Sequence, residues 1–181
     1  MQPLAFLDVD GVFNVFGAPK SKTHLLRRRL DLGVGRFNVK LDPAHAALVK
    51  QLADAGFELT WGTTWEDCAN VHLLGHLGLA EPLPVVAFEA EMMLEPPKIL
   101  PPRKFSYQPY CIKAPSVLRF AGDRPFVWFD DDFIAEDHEW SESRNEAGLP
   151  TLLVEVDDST GLQSSHVDQA LTWMTWHSLT V

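Results

Sequence analysis

The chain has 181 residues, 15 basic against 25 acidic side chains, a net charge of −10 and a hydrophobic share of 46%. These values describe one soluble globular domain that can bury a core without staples. The acidity excludes broad, sequence-blind nucleic-acid binding, which draws its affinity from Lys and Arg on phosphates. Cys68 and Cys111 stand far apart and outside any CxxC spacing, which excludes a disulfide framework or zinc ribbon and suits a reducing cytoplasm. The opening Met-Gln-Pro-Leu-Ala-Phe-Leu-Asp lacks a basic n-region, so neither a signal peptide nor a membrane anchor is expected.

Short apolar runs alternate with helical patterns, the signature of an α/β protein. Five runs read as parallel strands covered on both faces: residues 4–9, 57–61, 85–88, 126–129 and 151–156. After the first run, residues 14–41 carry Lys20, Lys22, Arg27, Arg28, Arg29, Arg36 and Lys40 against Asp31 alone, together with Gly17, Gly33 and Gly35. This composition predicts a basic hairpin or flap on an otherwise acidic body. Asp42-Pro43 opens a helix whose stripe is Ala44, Ala47, Leu48, Leu52 and Ala55, with Gly56 at its end. A second helix follows Trp65 with Ala69, Leu73 and Leu77. Residues 89–112 hold three glutamates and five prolines and read as a long excursion. A final helix begins near Ser165 with Val167, Ala170, Leu171 and Met174 on its buried side.

Candidate chemistry gathers at the ends of these runs. The first ends in Leu7-Asp8-Val9-Asp10-Gly11-Val12, two carboxylates at the edge where open α/β sheets bind ligands. Taken alone, this is equally a polar exit from a strand. The fourth ends in Asp130-Asp131-Asp132, a run that must be solvated or neutralised by a hard cation such as Mg²⁺. The second ends in Thr60-Trp61-Gly62-Thr63-Thr64-Trp65, where a hydroxyl could hold a phosphate oxygen or simply cap a helix. Lys113, beside apolar residues and ahead of a short helix, could reach the same crevice or lie at the surface. His72 and His76 stand four apart without the glutamate of a zinc protease, and read as a pair on a helix surface. Trp65 and Trp140 are the aromatic residues nearest the motifs and are candidates for substrate contact; Trp61, Trp128 and Trp173 read as core.

In order along the chain, Asp-x-Asp-Gly, Thr, Lys and the acidic run resemble the four motifs of the haloacid dehalogenase-like (HAD) superfamily, across nearly the whole sequence. Within it, Leu7 to Val12 and Trp61 to Trp65 look most like small HAD domains of bacterial and RNA-repair-associated proteins. The resemblance implies a Rossmann-like doubly wound parallel sheet of about five strands in a single domain, residues 1–181. It also implies a nearly capless site, because the short, glycine-rich flap after the first strand is no helical cap. It makes Asp8 the nucleophile that becomes an aspartyl-phosphate and Asp10 the general acid and base. Thr63, or else Thr64, binds the transferring phosphoryl group, and Lys113 neutralises its charge. Mg²⁺ lies between Asp8, the Asp10 backbone carbonyl and Asp131 or Asp130. Asp10 favours phosphoryl transfer over attack on carbon. The implied activity is phosphomonoester hydrolysis on a phosphorylated small molecule. A nucleic-acid phosphate end held by Arg27, Arg28 and Arg29 is the alternative, and a catalytically silent module of the same fold is the rival from another class.

Overall fold

The computed structural model describes residues 2–16, 24–31, 35–88, 111 and 113–177. Along the chain they form β1 (Leu4–Leu7), β2 (Leu26–Asp31), β3 (Arg36–Leu41), α1 (His45–Asp54), β4 (Glu58–Trp61) and α2 (Asp67–Leu77). There follow α3 (Ala114–Ala121), β5 (Phe126–Asp130), α4 (Ala135–Glu146), β6 (Thr151–Glu155) and α5 (Ser164–Trp176). Four strands make a parallel sheet in the order β4-β1-β5-β6, and β2 pairs only with β3 in an antiparallel ribbon.

Alternation along β1 explains why it is central. Leu4 and Phe6 face a core shared with Val117 and Leu118 of α3, Trp140 of α4 and Trp128 of β5. Ala5 and Leu7 face the opposite core, with Leu52 of α1, Leu73 of α2 and Val167 of α5. Helices thus cover both faces of the sheet. Each large side chain buried this way contributes about 2 kcal/mol, so strand positions 4–7 admit no polar residue. Among the described residues no helix is long and apolar enough to cross a membrane.

Two elements differ from expectation. The expected strand at 85–88 is a single parallel bridge, Trp61 to Val85. Pro84 has no N–H to extend the ladder there, and among the described residues the parallel sheet has four strands. Helix α4 escapes a search for apolar periodicity because its inward positions, Asp137, Trp140, Ser141 and Arg144, keep helical spacing with largely polar side chains. The excursion at 89–112 lies outside the described residues except for Cys111.

The basic flap is the β2–β3 ribbon, with Lys20, Lys22, Gly17 and Gly33 outside the described residues. Its inner end is tied to the body. Asn14 bridges to Leu41, and Val15 N–H donates to Lys40 O at 3.0 Å. His72 and His76, expected as a simple surface pair, each meet a carbonyl near the ribbon: His72 Nε2 donates to Asp31 O and His76 Nε2 to Asp42 O, both at 3.0 Å.

His45 opens α1 with no solvent exposure and packs edge-to-face on Phe13 at 5.3 Å. Burial pushes its imidazole down to about 4 against the opposing pull of Asp42. Between pH 6.5 and 4 the unfolded chain therefore binds a proton there that the folded chain refuses, and stability falls as pH falls, by about 1.4 kcal/mol per unit. Carboxylates with raised pKa titrate in the opposite sense, so the quantity to measure is a difference. Relative to His45→Leu, the wild type should lose on the order of 3 kcal/mol between pH 7 and pH 4 in urea denaturation. An equal pH dependence in the two proteins would refute the assignment.

Candidate active site

Parallel register brings three strand ends together. Leu7 pairs with Trp61 on one side and Phe129 on the other, so the residues that follow β1 emerge between those that follow β4 and β5. The ladder continues one step further: Gly62 N–H donates to Leu7 O at 2.9 Å and Asp8 N–H to Phe129 O at 3.1 Å. Asp8, Thr63 and Asp130 are consequently buried at one carboxyl edge.

Lys113 enters this edge from the chain just before α3. Its Nζ lies 2.8 Å from Asp8 Oδ2 and 2.6 Å from Asp130 Oδ2, and all three side chains are buried. Asp131 completes a group of three carboxylates, with Asp8 and Asp130, whose oxygens lie within 4.8 Å of one another. Each ionised pair at that separation repels by about 3 kcal/mol at an effective dielectric constant of ~20. Burial, outweighing the attraction of Lys113, raises Asp8 above the usual carboxylate range. Burial and then the charge of Asp8 push Asp130 up to about 8 and Asp131 up to about 6. Lys113 itself shifts up: burial disfavours its charge, but Asp8 and Asp130 more than compensate. Three carboxylates, two of them on one ammonium, offer hard oxygen donors of the kind that fit Mg²⁺.

Close approach at this site depends on Gly11. Its φ is +73°, and a Cβ there would stand 2.1 Å from Asp131 Cγ. Only glycine lets the loop after β1 pass beneath the Asp131 carboxylate.

Asp10 stands apart from the three-carboxylate group and is gripped at both oxygens. Asn14 Nδ2 donates to Oδ1 at 2.8 Å, and Trp65 Nε1 donates to Oδ2 at 2.9 Å. The same Asn14 accepts from Lys40 N–H at 3.0 Å through its own Oδ1, so one buried amide joins Asp10 to the ribbon. The two threonines separate clearly. Thr63 is buried at the same edge as Asp8, whose carboxyl its hydroxyl draws down against the effect of burial, and its Oγ1 accepts from Trp65 N–H at 3.3 Å. Thr64 is exposed.

Several side chains that support the site carry no motif. Asp137 accepts from Cys111 N–H with both oxygens, at 2.9 and 2.8 Å, and from Trp140 Nε1 at 2.8 Å. It thereby fixes the chain two residues before Lys113. Trp65 and Trp140 are both buried and spend their indole N–H groups on Asp10 and Asp137, so they position carboxylates instead of offering a free face to a ligand. The only trace in the sequence is spacing: Asn14 lies four residues after Asp10, and Trp140 three after Asp137. Strand alternation sends Arg27 and Arg29 to one face of the ribbon and Arg28 to the other, and all three are exposed. No protein-family model matches the chain, and a search of curated proteins also finds no match.

The central ion cluster sets a stability test. Lys113→Met leaves Asp8 and Asp130 buried without their cation and should cost about 3–5 kcal/mol. Adding Asp130→Asn removes the repulsion and should restore part of that loss, as read by chemical denaturation in chelator. A double variant no more stable than the single one would mean that Lys113 serves packing alone.

Proposed function

We propose that the chain is a HAD-type phosphomonoesterase that works through an aspartyl-phosphate and uses Mg²⁺. The observation that carries this reading is one buried ammonium, Lys113, held between Asp8 and Asp130, with Asp131 alongside and a separately held carboxylate, Asp10, two residues from Asp8. The reading also takes the chain as one Rossmann-like, doubly wound domain in which the ribbon stands where a larger cap would be, working in a reducing cytoplasm. Burial raises the Cys111 thiol well above its ordinary range.

Mg²⁺ held by Asp8 with Asp130 or Asp131 would neutralise charge on the phosphoryl group and polarise it toward attack. An oxygen of Asp8 forms a bond to phosphorus as the ester P–O bond breaks, and Asp10 gives its proton to the departing alkoxide. Asp10, now a carboxylate, then takes a proton from water as that water attacks phosphorus. The bond from Asp8 to phosphorus breaks, which releases inorganic phosphate and the free aspartate. Lys113 balances the negative charge that accumulates on Asp8 and the phosphoryl oxygens. Thr63 holds the attacking carboxylate in place and serves as the phosphoryl ligand. Asn14 and Trp65 keep Asp10 from swinging toward the charged cluster.

A small phosphorylated compound is the substrate class this site takes. An aryl phosphate should be hydrolysed with Mg²⁺ and not in excess chelator, and Asp8→Asn should abolish turnover. Asp10→Asn should lower kcat by roughly 10²–10⁴-fold, the worth of a positioned acid and base. Asn14→Ala and Trp65→Phe, each of which frees one oxygen of Asp10, should lower kcat more than they change KM. Near-normal turnover by Asp8→Asn would sink the proposal.

A further inference from the structure

We infer that Glu66 is a positioning residue: its carboxylate ties residues 84–88 to the turn that carries Thr63 and Trp65, and so keeps the Trp65 indole on Asp10. The consequence for turnover rests on the phosphatase reading; the placement of Trp65 does not.

The backbone at Glu66 is strained. It stands just ahead of α2 with φ +47° and ψ −131°, and among the described residues it is the one residue other than glycine with a positive φ. Cys68 N–H donates to Trp65 O at 3.0 Å, so Glu66 has the angles of the first central residue in a type II′ turn, where glycine is the usual occupant. A residue with a Cβ persists in such a conformation only where its surroundings over-determine it. The preceding turn shares the same residues. Glu66 N–H donates to Thr63 O at 3.0 Å and Trp65 N–H to Thr63 Oγ1 at 3.3 Å. Trp65 therefore lies between two turns that meet at Glu66, and a change of backbone there rotates it. Its indole N–H reaches Asp10 Oδ2 at 2.9 Å, a bond that a shift of about 1 Å would break.

The side chain explains why this position is not glycine. β4 ends at Trp61, and residues 84–86 run beside that end: Trp61 N–H donates to Pro84 O at 2.8 Å and Val86 N–H to Trp61 O at 2.9 Å. Beyond Trp61 the chain turns away toward Thr63 and the ladder stops. Glu66 Oε1 then accepts from Phe88 N–H at 3.1 Å, so the carboxylate stands in for the next residue of a strand and fastens 84–88 to the turn. This hydrogen bond is exposed, and one exposed bond does not repay the strain. Glycine would hold the same turn without strain but would lose the tie. Stability given up at a residue beside the site is the mark of a functional constraint. Here the constraint is the tie from Phe88 through Glu66 to Trp65.

The test compares wild type with Glu66→Gly, Glu66→Ala, Glu66→Gln and Trp65→Phe. Urea denaturation reads the strain. Hydrogen exchange of the Trp65 indole N–H, assigned by its loss in Trp65→Phe, reads the hold on Asp10, and kcat and KM on an aryl phosphate with Mg²⁺ read the consequence. Glu66→Gly should have a higher urea midpoint than Glu66→Ala, because alanine keeps the strain and glycine removes it. Both should exchange the indole N–H roughly tenfold faster than wild type. Both should lower kcat about as far as Trp65→Phe does and hold KM within about twofold. Adding Glu66→Gly to Trp65→Phe should cost no further kcat, since the two act through one bond. Glu66→Gln keeps an acceptor for Phe88 N–H and should restore slow exchange and kcat. If no phosphomonoester is hydrolysed, the phosphatase reading fails, while denaturation and exchange still decide the placement of Trp65. A lower midpoint for Glu66→Gly than for Glu66→Ala, wild-type exchange or wild-type kcat in both, additive losses in the double variant, or a Glu66→Gln no better than Glu66→Ala overturns the inference.

Discussion

One buried ammonium organises this protein. Lys113 lies between Asp8 and Asp130 where water scarcely reaches, and neither carboxylate could stay charged there alone. The rest of the site can be understood as what is needed to bring those charges to one point. Parallel pairing of β1 with β4 and β5 supplies the two acids and Thr63. Asp137, at the start of α4, fixes Cys111 and so the approach of Lys113. Gly11 removes the one Cβ that would push Asp131 away.

Asp8 and Asp10 follow the same strand, two residues apart, but meet different surroundings. Asp8 is enclosed with Lys113, Thr63 and two further acids. Asp10 is held by two neutral donors, the indole of Trp65 and the amide of Asn14. The two carboxylates therefore meet different partners, a buried ammonium for one and two neutral donors for the other. In the proposed reaction, Lys113 bears on the charge of the phosphoryl group and the Asn14–Trp65 clamp bears on proton transfer. The two functions are held by separate side chains.

The ribbon is divided in the same way. One side of it is part of the core, and the other carries cations away from an acidic body. Because Asn14 belongs both to the ribbon's base and to the hold on Asp10, the ribbon and that carboxylate are joined through one side chain. No comparable contact joins the ribbon to Lys113 among the described residues.

Much of the architecture was legible in local pattern. Apolar runs too short for helices marked β1, β4, β5 and β6, and 3.6-residue periodicity marked α1, α2 and α5. Asp8, Asp10, Thr63 and the acidic run stood out because polar residues at strand ends need a reason to be there, and Lys113, ahead of a short helix, stood out only through its place in the order of those motifs. Local pattern failed where partners are distant in sequence. Helix α4 buries a polar stripe, and the run at 85–88 is cut to one bridge beside Pro84. Arg27, Arg28 and Arg29 read as one basic cluster until pairing with β3 assigned them to opposite faces. The sequence by itself determined β1, β4, β5, β6, α1, α2 and α5 as strands and helices, and which residue types crowd the strand ends, because those depend on spacing along the chain. Only the tertiary structure decided that Lys113, 105 residues from Asp8, neutralises it, that Thr63 and not Thr64 is buried at the same edge, and that Asn14 and Trp65 hold Asp10. Contact and burial across the fold are set by packing, and spacing along the chain does not encode them.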